Sequence, residues 1–459
     1  MTIKHGCALP VDGGSPPIEF SRSHPLTELP FSDDLLFSSR GARSEGADVA
    51  LIDTPGVSAS ECPHFPFDRS GSGPLDLAQA HLALAGNPLA KVTLPAGQPD
   101  TEAWLVTGMP ECLEVYRNGE VFSRAQADGV KPFLKMSPII NALDGEHHRR
   151  IRGLVAKEFT PSRVERLRPM VESLAADVLR RMMSSGSKAD LFEDFAMPLT
   201  LGTIGGQLGI PEEDRSKFRV WGQGLMATGP GAHEKNQAAV YAMCGYMAEV
   251  MAARRSAPVD DLLSVIITNA DAAGVSAEEA ALLGASLVVA GWESTAASIV
   301  MFAYLLLTSL DEDGTLLYRR LCSQPDLVPG AVEEMLRVVP NSIYGASQPR
   351  RALVDVELGG VLVRAGELVI PSHDMAARDE RVFADPQRID FERSPNPHLA
   401  FVSGAHVCPG APLARMELQV TFKLFLEEMP ALRLAAAPED LVWQWTGVIR
   451  QPKALPVAW

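Results

Sequence analysis

The run from Leu282 to Leu307 is almost wholly apolar and long enough to cross a bilayer. Glu293 sits near its middle, after Ala290-Gly291-Trp292 and before Ser294-Thr295. An ionised carboxylate is costly at the centre of a lipid-embedded helix, and no cluster of Lys or Arg flanks the run. The stretch therefore reads as the buried central helix of a globular core, with no membrane as partner. A carboxyl and hydroxyls inside such a helix need a reason. A hydroxyl at Ser294 or Thr295 can bond back to the carbonyl four residues earlier and open the helix, and Gly291 leaves room for a ligand to approach the backbone.

With 459 residues the chain can bury a large core, and at about 150 residues per domain the soft prior is three domains. A formal net charge of −16 makes nucleic acid a poor partner. Cys7, Cys62, Cys112, Cys244 and Cys322 are scattered without framework spacing, and the N-terminus Met1-Thr2-Ile3-Lys4-His5-Gly6 has no apolar signal core; both point to the cytoplasm. Residues 1–61 are rich in Gly, Ser and Pro and weakly periodic, and read as a flexible N-terminal extension, with 62–459 as the folded domain. Lys91 to Pro95 and Ala103 to Thr107 read as a small hairpin. Helical patterns dominate from Pro110 to about Leu336. Val354 to Leu358 and Leu368 to Ile370 read as strands with Gly359-Gly360 as the turn between them, and short strands return from Trp443 to Ile449. The expected fold class is mainly α with small β-sheets.

The second informative feature is the run Phe401-Val402-Ser403-Gly404-Ala405-His406-Val407-Cys408-Pro409-Gly410. A lone cysteine in a tight turn is most often a buried free thiol. Here the neighbours reverse that reading. A thiolate that binds iron needs shielding from water and backbone N–H groups aimed at sulfur. Gly404 and Gly410 would let the backbone come close and turn, Phe401 could cover the sulfur, and His406 offers a donor to an acidic group. The helix expected from Ala411 would point its positive end at the thiolate. Zinc is disfavoured, because no second cysteine or His pair has ligand spacing.

This loop resembles the cysteine loop of the cytochrome P450 family, F-x-x-G-x-H-x-C-x-G, with Val402 standing where a small residue, usually Gly, is common. The resemblance runs from about His64 to the end of the chain and implies the cytochrome P450 fold, with the long central helix over haem. It implies haem b with Cys408 as axial thiolate and metal ligand, and Phe401, Gly404, His406 and Gly410 around it. Glu334-Met335-Leu336-Arg337 matches the family's E-x-x-R motif, with Arg388 as the expected third member of that structural network. The haem propionates call for cationic partners. The resemblance supplies His148 and Arg152 on one helix face, Arg350, and His398 in the H-x-x-F segment before the loop.

The run Ala290 to Thr295 resembles the family's A-G-x-[D/E]-T-T oxygen-activation motif. That implies Ala290 and Gly291 against the haem, Glu293 as the acid of a proton relay, and Ser294 where the family usually has Thr, with Thr295 able to share the role. An acid–alcohol pair favours dioxygen over peroxide. By position the substrate pocket should draw on Ile139, Ile140, Met226, Val289, Ile343, Tyr344, Val448 and Ile449, an apolar lining suited to an apolar or aromatic small molecule. Gly229-Pro230-Gly231 reads as a mobile gate. The implied function is a haem-dependent monooxygenase in bacterial secondary metabolism. Its electrons come from a separate ferredoxin with its reductase or from a flavoprotein, since the chain itself has no flavin or iron–sulfur motif. Oxidative coupling or another atypical oxidation is the alternative, and a non-catalytic haem sensor is a third reading that the acid–alcohol pair disfavours.

Overall fold

The computed structural model describes residues 62–69, 72–95, 100–127, 130, 140–225, 231–340, 342, 344–444 and 448–459. The extension expected over 1–61, the gate residues Gly229 and Pro230, and the pocket candidates Ile139, Met226 and Ile343 lie outside the described residues.

Ala277–Thr308 forms one helix, longer than the apolar run at its heart. It starts at a capping box in which the Ser276 hydroxyl takes the Glu279 N–H and the Glu279 carboxylate takes the Ser276 N–H. His147 reaches Glu279 at 2.6 Å and ties the helix Gly145–Gly153 to this end. Of the most apolar window, 72% is buried within the protein, as a core helix requires. Its neighbours are Met197–Leu208, Ala232–Ser256 and the helix Ala411–Glu428 that follows the cysteine loop. Gly291 explains one close crossing. A Cβ there would lie 2.8 Å from Ile204, so its missing side chain admits a neighbouring helix. Three turns further along, Phe302 stacks on Phe422 with centroids 6.2 Å apart.

The main sheet has the strand order Leu89–Thr93, Glu102–Val106, Leu368–Pro371, Arg350–Ala352, Phe122–Ser123. β1 (Leu89–Thr93) pairs antiparallel with β2 (Glu102–Val106), which matches the hairpin expectation. β3 (Phe122–Ser123) is the far edge. A second, three-stranded sheet contains β4 (Lys188–Asp190). β5 (Arg350–Ala352) returns to the main sheet. The expectation for the Gly359-Gly360 turn needs correction: it joins β6 (Val356–Leu358) to β7 (Val361–Val363). A two-residue turn can close only the strands that flank it. β8 (Leu368–Pro371) is buried along its whole length and runs parallel to β2, a central strand rather than a hairpin arm.

Glu334 and Arg337 lie one turn apart on the helix Val328–Val338, both with fully buried side chains. Arg337 grips Glu334 with two bonds, Nε to Oε2 at 2.8 Å and Nη2 to Oε1 at 2.7 Å. The third member is Arg393, not Arg388. Arg393 Nε lies 3.2 Å from both Glu334 oxygens. Arg388 points outward to Glu312 and lends the cluster only its carbonyl, which accepts from Arg337 at 3.1 Å and Arg393 at 3.0 Å. The sequence offered two arginines close together, and only the chain path decides which turns inward. Arg393→Ala should cost about 3–5 kcal/mol in chemical unfolding, because it leaves a buried carboxylate undercompensated; Arg388→Ala should stay within about 0.5 kcal/mol.

Glu417, on Ala411–Glu428, is 1% exposed. Its neighbour Thr203 already donates its hydroxyl proton to the Leu199 carbonyl at 3.0 Å. Burial pushes the Glu417 carboxyl up to about 8, so it carries its own proton near neutrality. A folded-state pKa above the unfolded value gives stability that is complete below about pH 4.5 and is lost as pH rises towards 8. The slope in that window is at most about 1.4 kcal/mol per pH unit. Glu417→Gln should flatten it in urea denaturation measured from pH 5 to 8; an unchanged slope would show that the carboxyl ionises freely.

Candidate active site

The central helix is buried on nearly every side, yet Ala290 and Ser294, one turn apart, are exposed. The core helix thus opens onto a hollow at this level. The Ser294 hydroxyl donates to the Ala290 carbonyl at 2.9 Å, and Ser298 repeats the pattern onto the Ser294 carbonyl at 2.9 Å. Such back-bonding pulls carbonyls away from the helical ladder. Thr295 turns the other way and is 5% exposed. Glu293 lies at the margin, with Oε2 buried and without a hydrogen-bond partner among the described residues. Burial alone pushes its carboxyl up to about 7. Trp292 fills the groove left by Gly222 of the helix Glu212–Leu225, where a Cβ would meet the indole at 3.0 Å.

The cysteine loop is tightly laced. The Cys408 N–H donates to the Phe401 carbonyl at 3.0 Å and Val407 N–H to Gly404 at 3.1 Å. Gly404 has φ +71°, and a Cβ there would strike the Tyr116 carbonyl at 2.2 Å, so only glycine fits. Gly410 faces ordinary contact, with its Cβ position 3.9 Å from the Cys408 sulfur. Val402 has φ +60°, a left-handed conformation that a β-branched residue adopts only at a cost and a glycine adopts freely. Cys408 is exposed. Burial raises its thiol, while N–H groups of Gly410 and Ala411 and the charges of Arg152 and Arg415 favour the thiolate.

A basic cluster adjoins the loop. His148, 3% exposed, stacks obliquely on His406 with ring centroids 4.3 Å apart, and its Nε2 has no partner among the described residues. Burial, reinforced by the charges of His406 and Arg152, pulls His148 down to about 4. His406 faces Asp144 at 3.4 Å, and burial lowers it too. Arg350, 3% exposed, lies over the Tyr116 ring at 5.0 Å and has no carboxylate at ion-pair distance among the described residues. Arg152 donates to the Val407 carbonyl, so it braces the cysteine loop. His398 departs from its expected haem contact. Both ring nitrogens are committed, Nε2 to Glu333 at 3.0 Å and Nδ1 to the Ala400 N–H at 3.3 Å, leaving none for a propionate.

These residues fit a haem: an exposed thiol under backbone N–H groups, an open helix face at Ala290, and buried cationic or donor groups without anionic partners at His148 and Arg350. The pocket candidates are only partly gathered. Ser342 and Ile449 form an antiparallel bridge that brings the two pocket segments together, with Val448 alongside. Ile140 lines a small recess beside Leu143, Ile151 and Leu282. Val289 is 4% exposed and faces the core beside exposed Ala290. Tyr344, 8% exposed, sinks into an apolar cluster with Phe65, Phe67 and Ile370, so it backs the pocket segment instead of lining open space. Sequence reasoning missed Glu333, Arg393, Asp144 and Arg415. Only Glu333 carried a signal, as the second acid of the pair Glu333-Glu334.

The sequence signature of the family described as Cytochrome P450 matches residues 323–452. Nocardicin C N-oxygenase of Nocardia uniformis subsp. tsuyamanensis is 38% identical over 392 residues, covering 84% of this chain and 96% of that protein. The crystal structure of the LnmA cytochrome P450 hydroxylase from the leinamycin pathway of Streptomyces atroolivaceus S-140 superposes with a TM-score of 0.79 at 39% identity, covering 86% of this chain and 100% of that one. A cytochrome P450 with biaryl coupling reactivity superposes with a TM-score of 0.76 at 37% identity, over 84% of this chain and 97% of that one. The fold is the cytochrome P450 fold, the enzyme is a monooxygenase, and its cofactor is haem b with a cysteine thiolate as axial ligand. The chain belongs to the cytochrome P450 family.

Proposed function

We propose that Cys408 is the axial thiolate, that His148, His406 and Arg350 hold the propionates, and that Ala290 faces the oxygen side of the ring. The observation that carries this reading is an exposed cysteine in a laced loop, where the backbone N–H groups of Gly410 and Ala411 and the charges of Arg152 and Arg415 favour the thiolate. When bound, haem b supplies dioxygen binding and the oxidising chemistry. The chain's own residues position, protonate and exclude water. Glu293, held near neutrality by burial, keeps a proton available at Oε2. The Ser294 hydroxyl proton is engaged by the Ala290 carbonyl, so its free lone pairs accept from the acid side.

The substrate is an apolar or aromatic small molecule, received between the exposed helix face and the bridged segments at Ser342 and Ile449, and the setting is bacterial secondary metabolism in the cytoplasm. Relatives that N-oxygenate, hydroxylate or couple aromatic rings support both hydroxylation and the coupling alternative. Electrons come from a ferredoxin with its reductase or from a flavoprotein docking near Arg117, which reaches the loop at Ser403 from 3.2 Å, and Arg149 and Arg150 on the adjoining helix. Residues 1–61 are an appendage to the catalytic domain 62–459.

The reduced protein with carbon monoxide should show the Soret band of thiolate ligation, and Cys408→His should convert it to the imidazole type; an unchanged spectrum in the variant would identify another ligand. Turnover should fall as pH rises through about 7, because Glu293 then loses its proton. Glu293→Gln should lose that limb and about 10²-fold in kcat. Steady-state rates over pH 5.5 to 9 with a substrate that shifts the haem spectrum decide it, and a variant with the parental profile would remove Glu293 from the relay.

A further inference from the structure

A second paired charge lies under the cysteine loop, separate from the buried Glu334 cluster. Arg415 Nε donates to Glu333 Oε1 at 2.7 Å and Nη2 to Oε2 at 2.9 Å, a two-pronged guanidinium–carboxylate grip. His398 closes the third side from Nε2, 3.0 Å from Glu333 Oε2. Because His398 Nδ1 accepts the Ala400 N–H, the ring proton sits on Nε2 and is donated to the carboxylate. The Arg415 guanidinium lies 4.6 Å from the centre of the Phe401 ring, in cation–π contact. The Phe401 carbonyl in turn holds the Cys408 N–H at 3.0 Å. One chain of contacts therefore runs from His398 through Glu333, Arg415 and Phe401 to Cys408.

The pair is a third exposed, with side-chain exposures of 34% for Arg415 and 30% for Glu333, so its contribution to stability is small. Its position matters more. The Arg415 guanidinium reaches Cys408 through the ring and carbonyl of Phe401. Burial raises the Glu333 carboxyl, but the bonds from His398 and Arg415 outweigh this and hold it at about 2, so the counter-charge is permanent.

We infer that Arg415 and Glu333 are a charge-balanced positioning pair that sets the reduction potential of the haem bound by Cys408. The inference rests on Cys408 as the ligand. Positive charge near the thiolate stabilises the electron-richer ferrous state, and negative charge disfavours it. Neutralised by Glu333, Arg415 contributes its grip on Phe401 without its full field.

The test is the midpoint potential of the haem-loaded protein by spectroelectrochemistry, with the carbon monoxide spectrum recorded on each sample. Glu333→Gln should raise the potential and Arg415→Gln should lower it. Each shift should correspond to about a tenfold change in the ferrous-to-ferric ratio at fixed ambient potential, ~59 mV for one electron. The double variant should return to the parental value, and Arg415→Lys should stay near it. A purely structural role moves both single variants the same way. A thiolate-type parent whose single variants shift together, or not at all, overturns the inference while sparing the ligand assignment. An imidazole-type parent spectrum overturns the ligand assignment and this inference with it. Should a single variant fail to hold haem, the double variant decides: bound haem at the parental potential supports charge balance, and haem loss or a shifted potential there refutes it.

Discussion

The fully buried pair of Glu334 and Arg337 is the constraint on which the haem side of the fold rests. A carboxylate in such surroundings is tolerable only with all its lone pairs occupied. Here they are filled by Arg337, Arg393, the Asp390 N–H and the Asn396 amide. Arg337 passes the constraint on by donating to the carbonyls of Ala377 and Pro386 at 2.8 Å each. An irregular stretch with little secondary structure of its own is thereby pinned at several points. That stretch leads directly into the cysteine loop, so the position of Cys408 is inherited from an ion cluster rather than from a helix or strand.

Legibility in the sequence followed the kind of signal each feature leaves. The central helix was readable because burial on all sides writes a long apolar run, and its functional interruption stood out as polar residues inside it. The cysteine loop was readable because Gly404 can be nothing else: its φ and the Tyr116 carbonyl exclude any Cβ. The misreadings have a common cause. Arg388 and His398 were given roles by their place in a motif, while their contacts depend on long-range packing. Glu312 and Glu333 claimed them, and neither partner is near in the sequence. The Gly359-Gly360 turn was recognised, but its partner strand was misassigned, because a turn fixes what lies next to it and says nothing of a strand that joins the central sheet.

Val402 shows how a sequence departure becomes physical. Its left-handed backbone is enforced on both sides, since the Val402 N–H donates to the Leu399 carbonyl at 2.9 Å and Cys408 N–H returns to Phe401. The loop thus keeps the geometry a glycine would adopt freely and bears the strain in a valine. Strain of this kind survives only where the surroundings overdetermine the backbone, and His398 and Arg415, both held by Glu333 and both against the Phe401 ring, help to overdetermine it here.

The distribution of charge divides the site by chemical task. Among the described residues around the cysteine loop, Glu334 is matched by two arginines, Glu333 by Arg415 and His398, and Asp144 by His406 and Ser123, whereas Glu417, further along the following helix, has no cation beside it. On the central helix Glu293 has no cation beside it, and burial is the only influence on its carboxyl. A matched carboxylate is fixed as an anion and can only steer fields. An unmatched one is held close to its own neutral form and can give up a proton at physiological pH. Adding an arginine near Glu293 would therefore convert a proton donor into a static charge, and removing one from beneath the loop would do the reverse. The same burial that makes Glu293 costly to the fold is what fits it to move a proton.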